Sequence, residues 1–162
     1  WHELCESYHF HGSVRDHNIQ IRSCLIWNKP SIILGRADFH WKHEPCLYGW
    51  TDGASHRWYS DRSQTTVIDG EKTKKNDLHP TMKPVSLMEY CILNNSKPGE
   101  IVLDLFLGSG STLIASEKSG RKCYGMELDP KYCDVIIRRW EEYTGKKAKH
   151  ADGKTFKQKG AA

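Results

Sequence analysis

Ile101-Val102-Leu103-Asp104-Leu105-Phe106-Leu107-Gly108-Ser109-Gly110-Ser111-Thr112-Leu113-Ile114-Ala115 is an apolar run that reaches an acid and then breaks into a Gly/Ser loop. Pro98-Gly99 marks a turn before it, Ile101 to Phe106 reads as a buried strand, and Ser111 onward is helix-forming. The glycines therefore fall at a strand-to-helix turn. At such a turn the first helical N–H groups are unpaired, and glycines let a ligand come close to the backbone.

What surrounds the glycines selects the ligand. A dinucleotide fingerprint has a third glycine three residues after the second, where this chain has Leu113, and it seats a pyrophosphate in the turn. Asp104 would repel pyrophosphate and would suit an ammonium or a sulfonium. The next strand, Lys122-Cys123-Tyr124-Gly125-Met126, runs into Glu127, and an acid at that tip accepts ribose hydroxyls in doubly wound folds. A nucleoside with a cationic amino-acid tail fits both acids, and S-adenosyl-L-methionine is such a molecule. A nucleotide-dependent oxidoreductase is the remote alternative, with Leu113 and Asp104 against it.

Working outward, the 162 residues are enough for one domain with a sizeable core. A net charge of +4 and a pI near 8.7 agree with a polyanionic partner, though a modest lysine excess is commoner as solubility charge. Six cysteines without a Cys-x-x-Cys pair, several inside apolar patterns, read as reduced intracellular thiols. No apolar run reaches membrane length and no secretory leader is seen, so a soluble cytoplasmic chain is expected.

Residues 1–18 read as a loop or an irregular short helix; His2, His9, His11 and His17 with Cys5 match no standard zinc spacing. Ile19 to Asn28 reads as a strand that becomes buried on both faces, closed by Lys29-Pro30. His40, His43 and Cys46 are three apart and would share a helix face, but Pro45 disrupts that helix and His43 to Trp50 alternates like a strand. From Gly49 to Lys75 polar residues dominate, with Arg57-Trp58-Tyr59 and Arg62 interspersed, a mixture that suits phosphate contact and base stacking as well as a solvated loop. Thr65 to Ile68 is a short strand turned by Asp69-Gly70.

A helix with Pro84 in its first turn carries Val85, Leu87, Met88, Cys91, Ile92 and Leu93 on one stripe. A second helix spans 111–119 before Gly120, and strand 122–127 follows. The last helix has Asp129 as its cap, Pro130 at its first position and Gly145 at its end. Residues 148–156 form an edge strand or a hairpin, and the tail 157–162 frays. The fold class is α/β, Rossmann-like, with a mostly parallel sheet.

His79-Pro80-Thr81-Met82-Lys83-Pro84, then Asp104 to Thr112, then Gly125-Met126-Glu127-Leu128-Asp129-Pro130-Lys131-Tyr132 resemble, in that order, the C-terminal half of amino-methylating DNA methyltransferases. The order resembles the permuted group, in which the catalytic part precedes the cofactor part. Ser23 to Trp27 and His43 to Trp50 resemble its phage and prophage branch. The resemblance implies a methyltransferase of the S-adenosylmethionine-dependent fold, acting on adenine N6 or, second, cytosine N4 of double-stranded DNA, in a restriction-modification setting. It implies cofactor contacts from His79, Thr81, Lys83, Asp104, Phe106, Gly108, Ser109, Gly110, Ser111, Thr112 and Glu127. It also implies DNA contacts from Arg57, Trp58, Tyr59 and Arg62 within a target-recognition insertion over 49–78, with the cofactor part over 79–145.

One family element is missing. Members carry an Asp/Asn/Ser-Pro-Pro-aromatic tetrapeptide that holds the target amine, and this chain has no Pro-Pro pair. Asp129-Pro130-Lys131-Tyr132 is no substitute, because it follows the ribose-binding acid and opens a helix. No catalytic residue is assigned on this chain, and no metal. The abrupt start at Trp1-His2-Glu3 suggests a fragment, incomplete on its N-terminal side; a cofactor- and DNA-binding fragment or a split-enzyme subunit is the alternative to an active enzyme.

Overall fold

The computed structural model describes residues 1–2, 4–36, 38–70 and 82–156, in two compact units, Trp1–Lys74 and Lys75–Ala162. Each is α/β. Among the described residues no helix is long and apolar enough to cross a membrane.

The first unit opens with a short 3-10 turn, Leu4–Glu6, and a regular helix α1, Ser7–Asp16, where a loop or irregular helix was expected. The histidines explain part of the difference: His11 Nδ1 and His17 Nδ1 each lie 2.8 Å from the carbonyl oxygen four residues earlier, on Ser7 and Ser13, so they join the helix. Burial holds the His2 pKa below the usual histidine range. Strand β1, Ile19–Ile33, pairs antiparallel with β2, Trp41–Thr51, and parallel with β3, Val67–Asp69, in the order β2-β1-β3.

Strand β1 therefore does not stop at Asn28. Pro30 is accommodated because the β1–β2 register slips between Asn28 and Ile33, so its missing N–H interrupts no paired rung. Pro45 is tolerated because β2 lies at the sheet edge, and its carbonyl accepts the His2 N–H at 3.1 Å. Trp27 is 7% exposed, and a Cβ on Gly70 would lie 2.6 Å from its indole nitrogen and 2.9 Å from Pro30. Only glycine ends β3 there. His43 and Cys46, three apart on a strand, point to opposite faces, and no group among the described residues has the makings of a metal site.

In the second unit α2, Val85–Asn95, precedes β4, Ile101–Asp104; α3, Ser111–Lys118, leads to β5, Lys122–Gly125; and α4, Pro130–Thr144, follows. Asp129 caps α4 by accepting the Lys131 N–H, Pro130 is in its first turn, and Gly145 ends it at φ 70, as the sequence predicts. Pro84 falls just before α2 rather than inside it. A hairpin follows, with Lys149 bridged to Thr155. The expected fraying of 157–162 falls outside the described residues.

Strands β4 and β5 are parallel and in register from Ile101–Lys122 to Asp104–Gly125. Helices α2 and α3 pack together, and Leu87, Ile92, Ile114, Ala115 and Ile136 form the core. Each buried leucine or isoleucine contributes about 1.5–3 kcal/mol. The expectation of a buried strand over Ile101–Phe106 is corrected in two ways. The strand ends at Asp104, and Ile101 and Leu103 remain 63% exposed beside Tyr124 at 59%. A strand's side chains alternate between faces, and here Val102 and Cys123 take the half-buried face while these three take the other. Similarly β5 ends at Gly125, two residues before Glu127.

Candidate functional site

Register creates the site. Because Asp104 pairs with Gly125, the ends of β4 and β5 are level, and the backbone stays joined one step further: Met126 N–H donates to Asp104 O and Leu107 N–H to Met126 O, both at 2.9 Å. Leu107 must then lie over β5. A Cβ on Gly125 would fall 2.5 Å from Leu107 Cδ2, so the glycine makes room for that side chain.

Two carboxylates hold the loop beyond. Asp104 Oδ1 accepts the Phe106 N–H at 3.0 Å, and Oδ2 accepts the Thr112 hydroxyl at 2.6 Å, which ties the end of β4 to the first turn of α3. Glu127 Oε2 accepts the Gly108 N–H at 2.8 Å, and Oε1 accepts the Asp129 N–H at 2.9 Å. The Asp129 N–H foremost, with those of Gly108 and Leu128, holds the Glu127 carboxyl below the usual glutamate range. Gly108 and Gly110 have φ of 56 and 81, a region L side chains rarely adopt, and a Cβ on Gly110 would also press on Ile136 at 3.2 Å.

The hydroxyls of the loop face inward. Ser109, Ser111 and Thr112 are buried, and the Ser111 hydroxyl donates to the Lys83 carbonyl at 2.7 Å, fastening the entry to α2 onto α3. The Arg139 guanidinium donates to the Ser109 carbonyl from α4. Sequence reading missed Arg139 because nothing local marks it: it is one arginine on the stripe of a helix that begins twenty residues after Gly110. Phe106 is on the outside, 90% exposed. Of the residues assigned to the cofactor, Lys83, Asp104, Phe106, Gly108 to Thr112 and Glu127 are thus brought to one turn or its immediate supports, while His79 and Thr81 lie outside the described residues. Arg57, Tyr59 and Arg62 are exposed and Trp58 half-buried in the other unit, where Trp58 Nε1 donates to Asp61 O at 2.8 Å.

The turn is acidic. Two carboxylates face it, and the Gly108 N–H that a phosphate would take already serves Glu127. The Glu127 contribution has a pH signature. Its folded pKa is depressed, so its stabilisation is complete above about pH 4.3, where the unfolded glutamate ionises, and is lost as pH falls through the lower folded value. The melting temperature of wild type should exceed that of Glu127→Gln by a constant margin from neutral pH down to that point and then converge with it. A margin independent of pH down to the acid limit would refute the assignment.

The family model described as DNA methylase (N6_N4_Mtase) matches residues 10–138. The Type II methyltransferase M.Cfr9I of Citrobacter freundii is 29% identical over 133 residues, 74% of this chain and 44% of the relative. The DNA adenine methyltransferase YhdJ of Escherichia coli (strain K12) is 46% identical over 61 residues, 38% of this chain and 21% of the relative. The chain thus spans less than half the length of these curated relatives. The solved M1.HpyAVI–SAM complex superposes with a TM-score of 0.73 over 85% of this chain and 71% of that one, at 22% identity, which establishes the shared fold.

Proposed function

The chain belongs to the DNA methylase family N6_N4_Mtase, and on that premise we propose that it carries the cofactor-binding and DNA-contacting parts of an enzyme that methylates an exocyclic base amine in double-stranded DNA. Adenine N6 is the first choice, as the name of YhdJ suggests, and cytosine N4 the second. The methyl donor is S-adenosyl-L-methionine. The observation that carries the reading is the pair of carboxylates, Asp104 and Glu127, around the Gly108–Gly110 turn.

The donor set fits this cofactor. A carboxylate offers about four acceptor sites, and Asp104 uses two and Glu127 three on the contacts above, so both retain capacity. Asp104 would hold the methionine ammonium and Glu127 the ribose hydroxyls. Lys83 would pair with the methionine carboxylate, assisted by His79 and Thr81 of the same motif, and Phe106 with the 108–112 backbone would line the pocket. When bound, the cofactor supplies a methyl carbon made electrophilic by its sulfonium. The base must leave the duplex stack to reach it. Arg57, Trp58, Tyr59 and Arg62 would contact the DNA from the 49–78 segment.

The 162 residues contain no Pro-Pro pair, and so no counterpart of the tetrapeptide that holds the amine in the family. That observation favours a second reading, in which this chain binds both ligands and turns over only with a segment that carries the tetrapeptide. Calorimetric titration with S-adenosyl-L-methionine tests the first claim. We expect saturable binding, unchanged in Arg62→Ala, whose duplex DNA affinity falls. Absence of saturable binding would overturn the cofactor assignment, and equal loss of both ligands in Arg62→Ala would overturn the division of labour.

A further inference from the structure

A line of rings and cations in the first unit extends beyond the four residues assigned to DNA. Trp50 and His56 stack with centroids 4.4 Å apart and planes at 23°, and Trp58 continues beyond His56 at 6.5 Å and 20°. Tyr48 meets Trp50 edge-on at 5.7 Å, and its hydroxyl lies 3.3 Å from His56 Nε2. The guanidinium carbon of Arg22 is 4.9 Å from the Trp50 ring centre.

Backbone construction puts Arg22 there. Ile21 pairs with Gly49 and Ser23 with Tyr48, so Arg22 is the extra residue of a β-bulge. A bulge redirects one side chain, and this one sends a guanidinium to the face of an indole. It also demands close backbones: a Cβ on Gly49 would sit 2.2 Å from Gln20 O. Strand alternation places Tyr48 and Trp50 on one face, and the segment after β2 returns His56 and Trp58 to them.

Such a stack inside a core would be ordinary packing. Here Arg22, His56 and Arg57 are exposed, and the Tyr48 hydroxyl and the Asp61 carbonyl are polar anchors of the 56–58 segment. Three successive rings with a guanidinium at one end offer apolar edges to sugars or displaced bases and a cation to phosphates.

We propose that Arg22, Trp50, His56 and Trp58 form a preassembled DNA-contact ladder, in which the ring edges pack against the sugars of double-stranded DNA, or against a base displaced from its stack, and Arg22, with Arg57, meets its phosphates. The proposal rests on the DNA-methylation reading and deepens it by assigning three residues outside the Arg57–Arg62 group.

The test uses the 162-residue chain, a fluorescein-labelled duplex and, in parallel, calorimetry with S-adenosyl-L-methionine. His56→Ala should weaken duplex binding by roughly fivefold or more, while His56→Phe, which restores a ring, should recover most of it. Arg22→Gln should weaken binding and lower the salt slope by about one. Arg15→Gln, an exposed charge on α1, is the control for net charge alone. Equal small losses in Arg22→Gln, His56→Ala and Arg15→Gln, with wild type binding duplex, would make the ladder a loop anchor and overturn this inference alone. A wild-type chain that binds the methyl donor and no duplex would also overturn it, and one that binds neither would overturn the proposed function with it.

Discussion

Asp104→Asn should lower the affinity for S-adenosyl-L-methionine by roughly tenfold to a hundredfold while leaving the Gly loop in place, the scale set by about 1.5–3 kcal/mol for a hydrogen bond to a charged group. The substitution separates two jobs of one side chain. Asp104 anchors the loop through the Phe106 N–H and the Thr112 hydroxyl, and it is the acid proposed for the ammonium. Asparagine retains an oxygen for the Phe106 N–H, and its NH2 can donate to the Thr112 oxygen, which accepts as readily as it donates. Shape is preserved and charge is removed. Asp104→Ala removes both anchors too, so it should lose melting temperature as well as affinity. Calorimetry and thermal denaturation on both variants distinguish the cases, and unchanged affinity in Asp104→Asn would sink the ammonium assignment.

The largest effect on stability is expected at Arg121, which no functional reading involves. Its side chain is 9% exposed, and its guanidinium donates to the Ser96 hydroxyl at 3.2 Å and to the carbonyls of Ser96 and Ser119. Ser96 ends α2 and Ser119 ends α3, so one side chain satisfies the last carbonyls of two helices just before β5 begins. Arg121→Ala should destabilise the second unit by about 2–4 kcal/mol, since buried carbonyl oxygens are left without donors and the side chain's packing is lost. For a unit of this size that is a fall in melting temperature on the order of 10 °C or more. Arg121→Met restores the apolar stem without the donors. If Arg121→Met melts like wild type, the hydrogen bonds are unimportant and the account is wrong.

How far the sequence was legible depended on the range of each signal. Asp129, Pro130 and Gly145 bracket α4 as read, because a cap involves only a few neighbouring residues, and Gly108 and Gly110 mark their turn for the same reason. Pro30 misled, since the rule against proline in a strand assumes that its N–H would be paired, and the register slip past Asn28 removes that need. The apolar stretch from Ile101 misled differently: composition predicts a buried strand, whereas exposure depends on which layers cover each face.

The order of elements from α2 onward, the Gly turn, and the acids at the end of β4 and just past β5 were determined by the sequence itself, because hydrophobic period, caps and glycine conformations act over a few residues. Only the tertiary structure decided that Glu127 would reach the N–H of Gly108, nineteen positions away, that Arg121 would join Ser96 to Ser119, and that a bulge would bring Arg22 to Trp50. Those contacts depend on strand register and on how buried polar groups find partners, and neither quantity is written in any short window of the chain.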